Sequence, residues 1–335
     1  MAEPAPRRMR ALVVEALGPD YAGCAVREIE TPAPAPGEVR IEVRAAAVNF
    51  PDLLMTRGEY QHKPALPFIP GLEISGEIDA LGEGVGSWKI GDAVVGGARI
   101  GGFSQSAVAS ASALRAKPEW LSFARASACG AAYLTAWVAL VRRARLEAGD
   151  WVLVPGAAGG VGLACVDLAK TLGARVIAAS ASDEKLAVVA AEYAPDACVN
   201  VTGGFREEVK AITGGRGADI ILDPVGGDVF DESVRCIAFD GRLVVIGFTS
   251  GRIPAIAVNL PLIKGFSVVG VRAGEYGRRF PERGRENLDA VWRLAAEGRI
   301  RPRVHAQFPL ADWRAAFDLL ADRQVIGKVV ILPDH

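Results

Sequence analysis

The chain of 335 residues has little of what builds metal centres and disulfide frameworks: five cysteines and three histidines. Cys24, Cys129, Cys165, Cys198 and Cys236 are scattered, with no Cys-x-x-Cys pair and no histidine beside them, so they read as small buried hydrophobes. Charge of one sign is also missing. With 38 basic against 39 acidic residues there is no global basic field of the kind that holds a phosphate backbone, and nucleic acid is not an expected partner. Half of the residues are hydrophobic, yet no stretch supplies the ~20 uninterrupted apolar residues expected of a membrane span. The longest candidate is broken by its own PGAAGG. The opening MAEPAPRRMR carries charge and proline without an apolar region before Glu15, which argues against a signal peptide. A cytoplasmic protein with no membrane partner is expected, and the NVT sequon at Asn200 reads as chance.

The length suits two domains of about 100 to 200 residues each. Up to about residue 120, short alternating apolar runs separated by Gly and Pro (RALVVEAL, EVRIEVRAAAVNF, LEISGEIDALG, IGDAVVGG) indicate a mostly β domain with tight turns. Beyond residue 124 the texture changes. Strand-like runs WVLV, RVIAAS, ACVNV, ADIILD, RLVVIGF and FSVVGV recur, most of them separated by amphipathic helical stretches, which predicts βαβ units and a parallel sheet. Near the end, LADWRAAFDLLADR sets Leu310, Trp313, Phe317 and Leu320 on one helix face, and GKVVIL reads as a strand able to return to the first domain.

VPGAAGGVGL, directly after WVLV, joins the first strand of the βαβ series to its first helix. A helix N-terminus there offers unpaired N–H groups and the positive end of the dipole to a diphosphate, provided side chains stay clear. The stretch departs from strict G-x-G-x-x-G. Ala157 stands where the first glycine is expected, and Gly159 and Gly162 keep the close-approach and packing roles. Ala157, Ala158, Gly159, Gly160, Val161 and Gly162 are therefore candidate dinucleotide-binding residues. About twenty residues on, where an acid would hold an unphosphorylated ribose, the second strand ends IAASAS and the first acid is Asp183. Ser180, Ser182 and Lys185 leave room for a 2′-phosphate. A charge-assisted hydrogen bond from Lys185, about 1.5 to 3 kcal/mol, favours NADPH over NADH about tenfold or more; a solvated helix lysine is the alternative.

Taken in order, AAAVNFPDLLMTRGEY, LPFIPGLEISGEIDALGEGV, GDAVVGG, PGAAGGVGLACVDLAK, VIAASASDEKL, DPVGG, VVIGFTSG and IGKVVIL resemble the zinc-free quinone oxidoreductases of the medium-chain dehydrogenase/reductase superfamily, the zeta-crystallin group, over essentially the whole chain. The resemblance implies an α/β protein: a Rossmann doubly wound parallel sheet at 124–266, plus a GroES-like, mostly β domain formed by 1–123 and 267–335. It also implies a homodimer paired through the Rossmann sheet. Zinc alcohol dehydrogenases of this architecture carry a ligand histidine in a GHE step. Here the segment is GLE, with Leu72 at that position, and the catalytic cysteine is missing from AAAVNFPD. A catalytic zinc needs three protein ligands, so none is expected. Hydride transfer without a Lewis acid points to quinones or other conjugated carbonyls, whose conjugation spreads the incoming charge.

By the same resemblance Asn49 faces nicotinamide and substrate, a β-turn asparagine being the alternative, and Thr135 contacts the cofactor. Pro224, Val225 and Gly226 end the fourth strand of the parallel set, and Gly247, Phe248 and Thr249 end the fifth. Val271 presents backbone to the carboxamide, and Asn200 joins the cofactor set. Arg323 matches an arginine for the 2′-phosphate, and Lys328 a lysine near the cofactor. Tyr60 matches the proton-donating tyrosine of related enoyl thioester reductases, with a wall of the substrate pocket as its plainer role. Arg278, Arg279, Arg283 and Arg285 form a basic run suited to solvent or to a coenzyme A phosphate. Three readings stay open: reduction of conjugated carbonyls, reduction of an enoyl thioester, and a non-catalytic, crystallin-like NADPH-binding protein.

Overall fold

The computed structural model describes residues 7–97 and 100–333; most of the opening stretch read against a signal peptide, residues 1–6, lies outside the described residues. The chain divides into two compact units, Met1–Ala131 with Pro302–His335, and Ala132–Arg301.

The first unit runs β1 (Arg8–Val14), β2 (Cys24–Glu30), β3 (Glu38–Val48), α1 (Phe50–Arg57), β4 (Glu73–Leu81), β5 (Ala93–Gly97), β6 (Ser106–Ser110), β7 (Arg115–Ala116) and α2 (Phe123–Ser127). The second takes in α3 (Gly130–Trp137), β8 (Trp151–Pro155), α4 (Gly160–Thr171), β9 (Arg175–Ser180), α5 (Asp183–Tyr193), β10 (Ala197–Asn200), α6 (Arg206–Ile212), β11 (Ala218–Asp223), α7 (Gly227–Cys236), β12 (Ile237–Val245), α8 (Asn259–Lys264), β13 (Ser267–Gly270), α9 (Ala273–Arg279) and α10 (Pro281–Ala296). The chain then re-enters the first unit with β14 (Val304–Pro309), α11 (Trp313–Ala321) and β15 (Lys328–Leu332).

In β3, Val39, Ile41 and Val43 are buried while the residues between them are half-buried, the period of a strand with one face on a core. From Ala45 every position is buried, because Ala46 and Val48 keep to the main core while Ala45 and Ala47, on the other face, pack against Ala124 and Ala128 at α2. The sheet order is β14-β15-β3-β4-β5-β7, with β6 also on β3. Leu310, Trp313 and Phe317 do lie on one buried face. The Phe317 ring meets Trp313 at 5.4 Å, Tyr21 at 5.5 Å and Phe103 at 5.8 Å between centroids, all edge-on as aromatic quadrupoles prefer.

The second unit holds a six-stranded parallel sheet in the order β10-β9-β8-β11-β12-β13. β8, β9 and β11 at its centre are nearly continuous buried apolar runs, as strands covered on both faces require. The order reverses between β8 and β11, and ligands of such sheets bind outside the strand C-termini at that point. The expected Rossmann limits, 124 and 266, differ from those observed. Residues 267–301 stay with the parallel sheet because β13 pairs in parallel with β12, from Arg242 opposite Ser267 to Val245 opposite Gly270. One helical run among the described residues, Phe123–Ala144, is apolar and long enough to cross a membrane; 61% of its most apolar 18-residue stretch is buried, as in a core helix.

Candidate functional site

The glycine stretch forms the turn between β8 and α4. Gly156, with φ +64°, makes the bend. The tight-turn role therefore falls on Gly156 and not on Ala157, whose own N–H is spent on the Ala179 carbonyl at 3.0 Å. Spacing could have shown this, because Gly156, Gly159 and Gly162 fall at every third position. A Cβ on Gly162 would stand 2.1 Å from the Gly156 oxygen, so only glycine lets the helix start this close to the turn. Gly159 caps α4 without a side-chain hydrogen bond. The first N–H groups, at Gly160, Val161 and Gly162, have no carbonyl of their own helix to meet. This bare N-terminus fits a diphosphate.

Next along the same edge, Ser180 ends β9 opposite Asn200 at the end of β10. The Asn200 amide donates to Asp183 at 2.7 Å, which ties up the carboxylate nearest this corner. Lys185 lies in the first turn of α5, partly buried, its N–H on the Ser182 hydroxyl, and burial holds its ammonium below the usual lysine range.

Beyond the crossover, Asp223 organises the DPVGG turn. Its Oδ1 accepts from the Val225 N–H at 2.8 Å and the Gly226 N–H at 2.9 Å, and burial raises its pKa. Gly226 takes φ +70°, ψ −156°, a region open to glycine alone. The two strand-end loops are stitched together: both the N–H and the hydroxyl of Thr249 donate to the Pro224 carbonyl at 3.1 Å. Thr249 is thus a loop-stitching residue, while Phe248 is exposed and a Cβ on Gly247 would stand 3.4 Å from the Pro224 oxygen. The Val271 N–H is bound to the Val245 carbonyl at 3.0 Å, so any part it plays falls to its carbonyl. The glycine turn, Ser180, Asn200, the DPV turn, Gly247–Thr249 and Val271 all lie at the C-terminal edge of one sheet. Thr135 sits apart from it in sequence, partly buried on α3.

The first unit carries a separate cluster. Because Val329 pairs with Val48, Lys328 comes opposite Asn49, 279 residues away in sequence. The Lys328 ammonium donates to Asn49 Oδ1 at 2.6 Å and lies 3.4 Å from Glu73 Oε2. Asn49 Nδ2 donates to Glu73 Oε2 at 2.9 Å and to the Ala47 carbonyl at 3.2 Å. Glu73 also accepts from the Ala131 N–H. Lys328, matched above to a lysine near the cofactor, is thus joined to Asn49, and Glu73, absent from the sequence-based set, holds both. Below them Asp52 is fully buried, its oxygens accepting from the N–H groups of Asn49 at 2.8 Å and Gly71 at 3.0 Å. Burial pushes its pKa up to about 7 against the pull of those two donors. Tyr60 packs, partly buried, against Val14, Met55 and Phe68. Arg323 follows α11 with φ +56°.

The donor set does not suit a catalytic zinc. Leu72 packs in the same apolar cluster as Tyr60, and the residue in the VNF step is an amide already bonded to an ammonium. Among the described residues no three His, Cys, Asp or Glu side chains stand together to hold a metal ion.

With this geometry in place, comparison with known proteins is informative. Residues 35–119 match the alcohol dehydrogenase GroES-like domain and residues 160–294 the domain described as zinc-binding dehydrogenase. The chain is 41% identical to the quinone oxidoreductase-like protein 2 homolog of Nematostella vectensis, over 88% of this chain and 81% of that protein. Among solved structures it resembles a probable oxidoreductase from Mycobacterium abscessus, 37% identical with a TM-score of 0.87 over 98% of this chain and all of the other. A mycobacterial protein solved in complex with NADPH is 29% identical, with a TM-score of 0.87 over 97% of this chain and all of the other.

Proposed function

The chain belongs to the quinone oxidoreductase group of the medium-chain dehydrogenase/reductase superfamily, and on that premise we propose that it is an NADPH-dependent reductase of quinones or other conjugated carbonyls that transfers hydride without a metal. The observation that carries the reading is the side-chain-free helix start of the second unit, where a Cβ on Gly162 would meet the Gly156 oxygen; the first unit separately carries an Asn49–Glu73–Lys328 cluster. NADPH supplies the hydride when bound; the chain supplies orientation, exclusion of water and charge stabilisation. The N-terminal turn of α4 takes the diphosphate, and Ser180 and Lys185 take the 2′-phosphate. Asn49 and Tyr60 serve the substrate. A conjugated acceptor suits such a site because its oxyanion is delocalised from the start.

The same reading includes a homodimer. β13 is an edge strand, and Val268 on it, Leu262 and Ile263 on α8, Val258 before α8 and Phe239 in β12 are exposed apolar side chains of the same unit. Pairing two β13 edges satisfies the open backbone and covers that surface.

The deciding experiment follows NADPH oxidation by the purified protein with an ortho-quinone, an enone and crotonyl-CoA in parallel, with NADH as the cofactor control. Turnover of the quinone or the enone with NADPH is expected. Turnover of crotonyl-CoA alone would replace the reading by enoyl thioester reduction, with Tyr60 as proton donor. NADPH binding without turnover of any acceptor would leave a binding protein.

A further inference from the structure

We infer that Lys328, and not Asn49, is the hydrogen-bond donor that stabilises negative charge on the acceptor's carbonyl oxygen, with Glu73 and Asn49 as its positioning residues. This rests on the proposed reduction of conjugated carbonyls. In that reaction the arriving hydride forms a C–H bond at the far end of the conjugated system, and the displaced π electrons settle on oxygen. NADPH is oxidised to NADP+, the acceptor is reduced by two electrons, and water later supplies the proton. A site of this kind needs an N–H aimed at the oxygen.

Asn49 has none to spare. An amide carries two N–H bonds, and both are used, on Glu73 and on the Ala47 carbonyl. The amide cannot be turned round, because its NH2 would then face the Lys328 ammonium and its oxygen would face the Glu73 carboxylate. An ammonium carries three N–H bonds. Lys328 directs one to Asn49 Oδ1 and a longer one to Glu73, which leaves a third without a partner among the described residues. The side chains of Lys328 and Glu73 are only 8% and 6% exposed, so this charge sits in a medium that strengthens its pull on an oxyanion. The surroundings hold it still. Glu73 is fixed by Asn49 and Ala131, and Asn49 is fixed at both ends of its amide and, through its backbone N–H, by Asp52. The cluster thus holds a preorganised positive charge in a buried setting.

The test compares wild type with Lys328→Met and with the double variant Lys328→Met/Glu73→Gln, which removes the ammonium without stranding a buried carboxylate. Each is assayed with a weakly electrophilic enone and a strongly electron-poor quinone, with NADPH affinity by fluorescence and the thermal midpoint measured alongside. Both variants are expected to lose about 100-fold or more in kcat on the enone, the size of one lost oxyanion donor, and clearly less on the quinone, whose anion needs less help. NADPH affinity is expected to stay within about twofold of wild type. Retained kcat in a folded variant, equal losses on both acceptors, or a matching loss of NADPH affinity would each overturn the inference. If wild type reduces neither acceptor, the proposed function fails, and this inference with it.

Discussion

Raising the pH from about 4 to about 8 should weaken this fold through one carboxyl group, Asp52. The side chain, in the first turn of α1, is fully buried, and burial lifts its pKa from the ordinary 3.8 to about 7. Below the ordinary value the native and unfolded chains both hold the proton. Between the two values the native chain keeps a proton that the unfolded chain has released, so stability falls as pH rises, by about 1.4 kcal/mol per pH unit. Across the interval from 3.8 to about 7 the loss comes to about 4 kcal/mol, complete once the native carboxyl has itself ionised. Asp52→Asn isolates this contribution, because the amide does not titrate. The substitution turns an NH2 toward the N–H of either Asn49 or Gly71, at a cost of about 1 to 3 kcal/mol that does not depend on pH. The variant should therefore be the weaker protein near pH 4.5 and should match or exceed wild type near pH 8. Urea midpoints over that range, followed by tryptophan fluorescence for both proteins, measure the gap directly. A gap constant to about 0.5 kcal/mol would refute the reasoning, since it would mean that Asp52 ionises alike in both states.

Gly162→Ala should destabilise the protein by about 1 to 3 kcal/mol and weaken NADPH binding together, because the new Cβ, 2.1 Å from the Gly156 oxygen, forces turn and helix apart; equal urea midpoints and dissociation constants would count against the close approach. Lys185→Ala should raise the KM for NADPH about tenfold or more and leave that for NADH nearly unchanged, and equal losses for both would remove the lysine from the phosphate. Leu262→Asp, at a side chain 82% exposed, should shift the mass measured by light scattering from dimer to monomer with the thermal melt retained; a wild type that is already monomeric would end the dimer reading.

The parallel sheet and its glycine turn were legible in the sequence because both are local. Apolar runs of four to six residues separated by helical periodicity identify βαβ units, and a glycine cluster directly after the first of them has one common use. Even there a local reading slipped by one residue. The bend belongs to Gly156, and only backbone torsion tells which residue of the stretch carries it. The limit of 266 implied by the resemblance stops short of FSVVGV, a run read as one of the parallel strands; its pairing with β12 keeps residues 267–301 in that unit. Thr249, read as a cofactor contact at a strand end, spends its hydroxyl on a neighbouring loop that no local pattern shows.

By itself the sequence determined the fold class and the strand–turn–helix that suits a dinucleotide. These depend on the identity and spacing of residues close together in the chain. The tertiary structure alone decided that Lys328 meets Asn49 and Glu73, that Asn49 has no N–H to spare, and that Asp52 keeps its proton to near neutrality. Each of those depends on strand register across hundreds of residues and on the water excluded when β15 closes against β3, quantities that come into being only when distant segments pack.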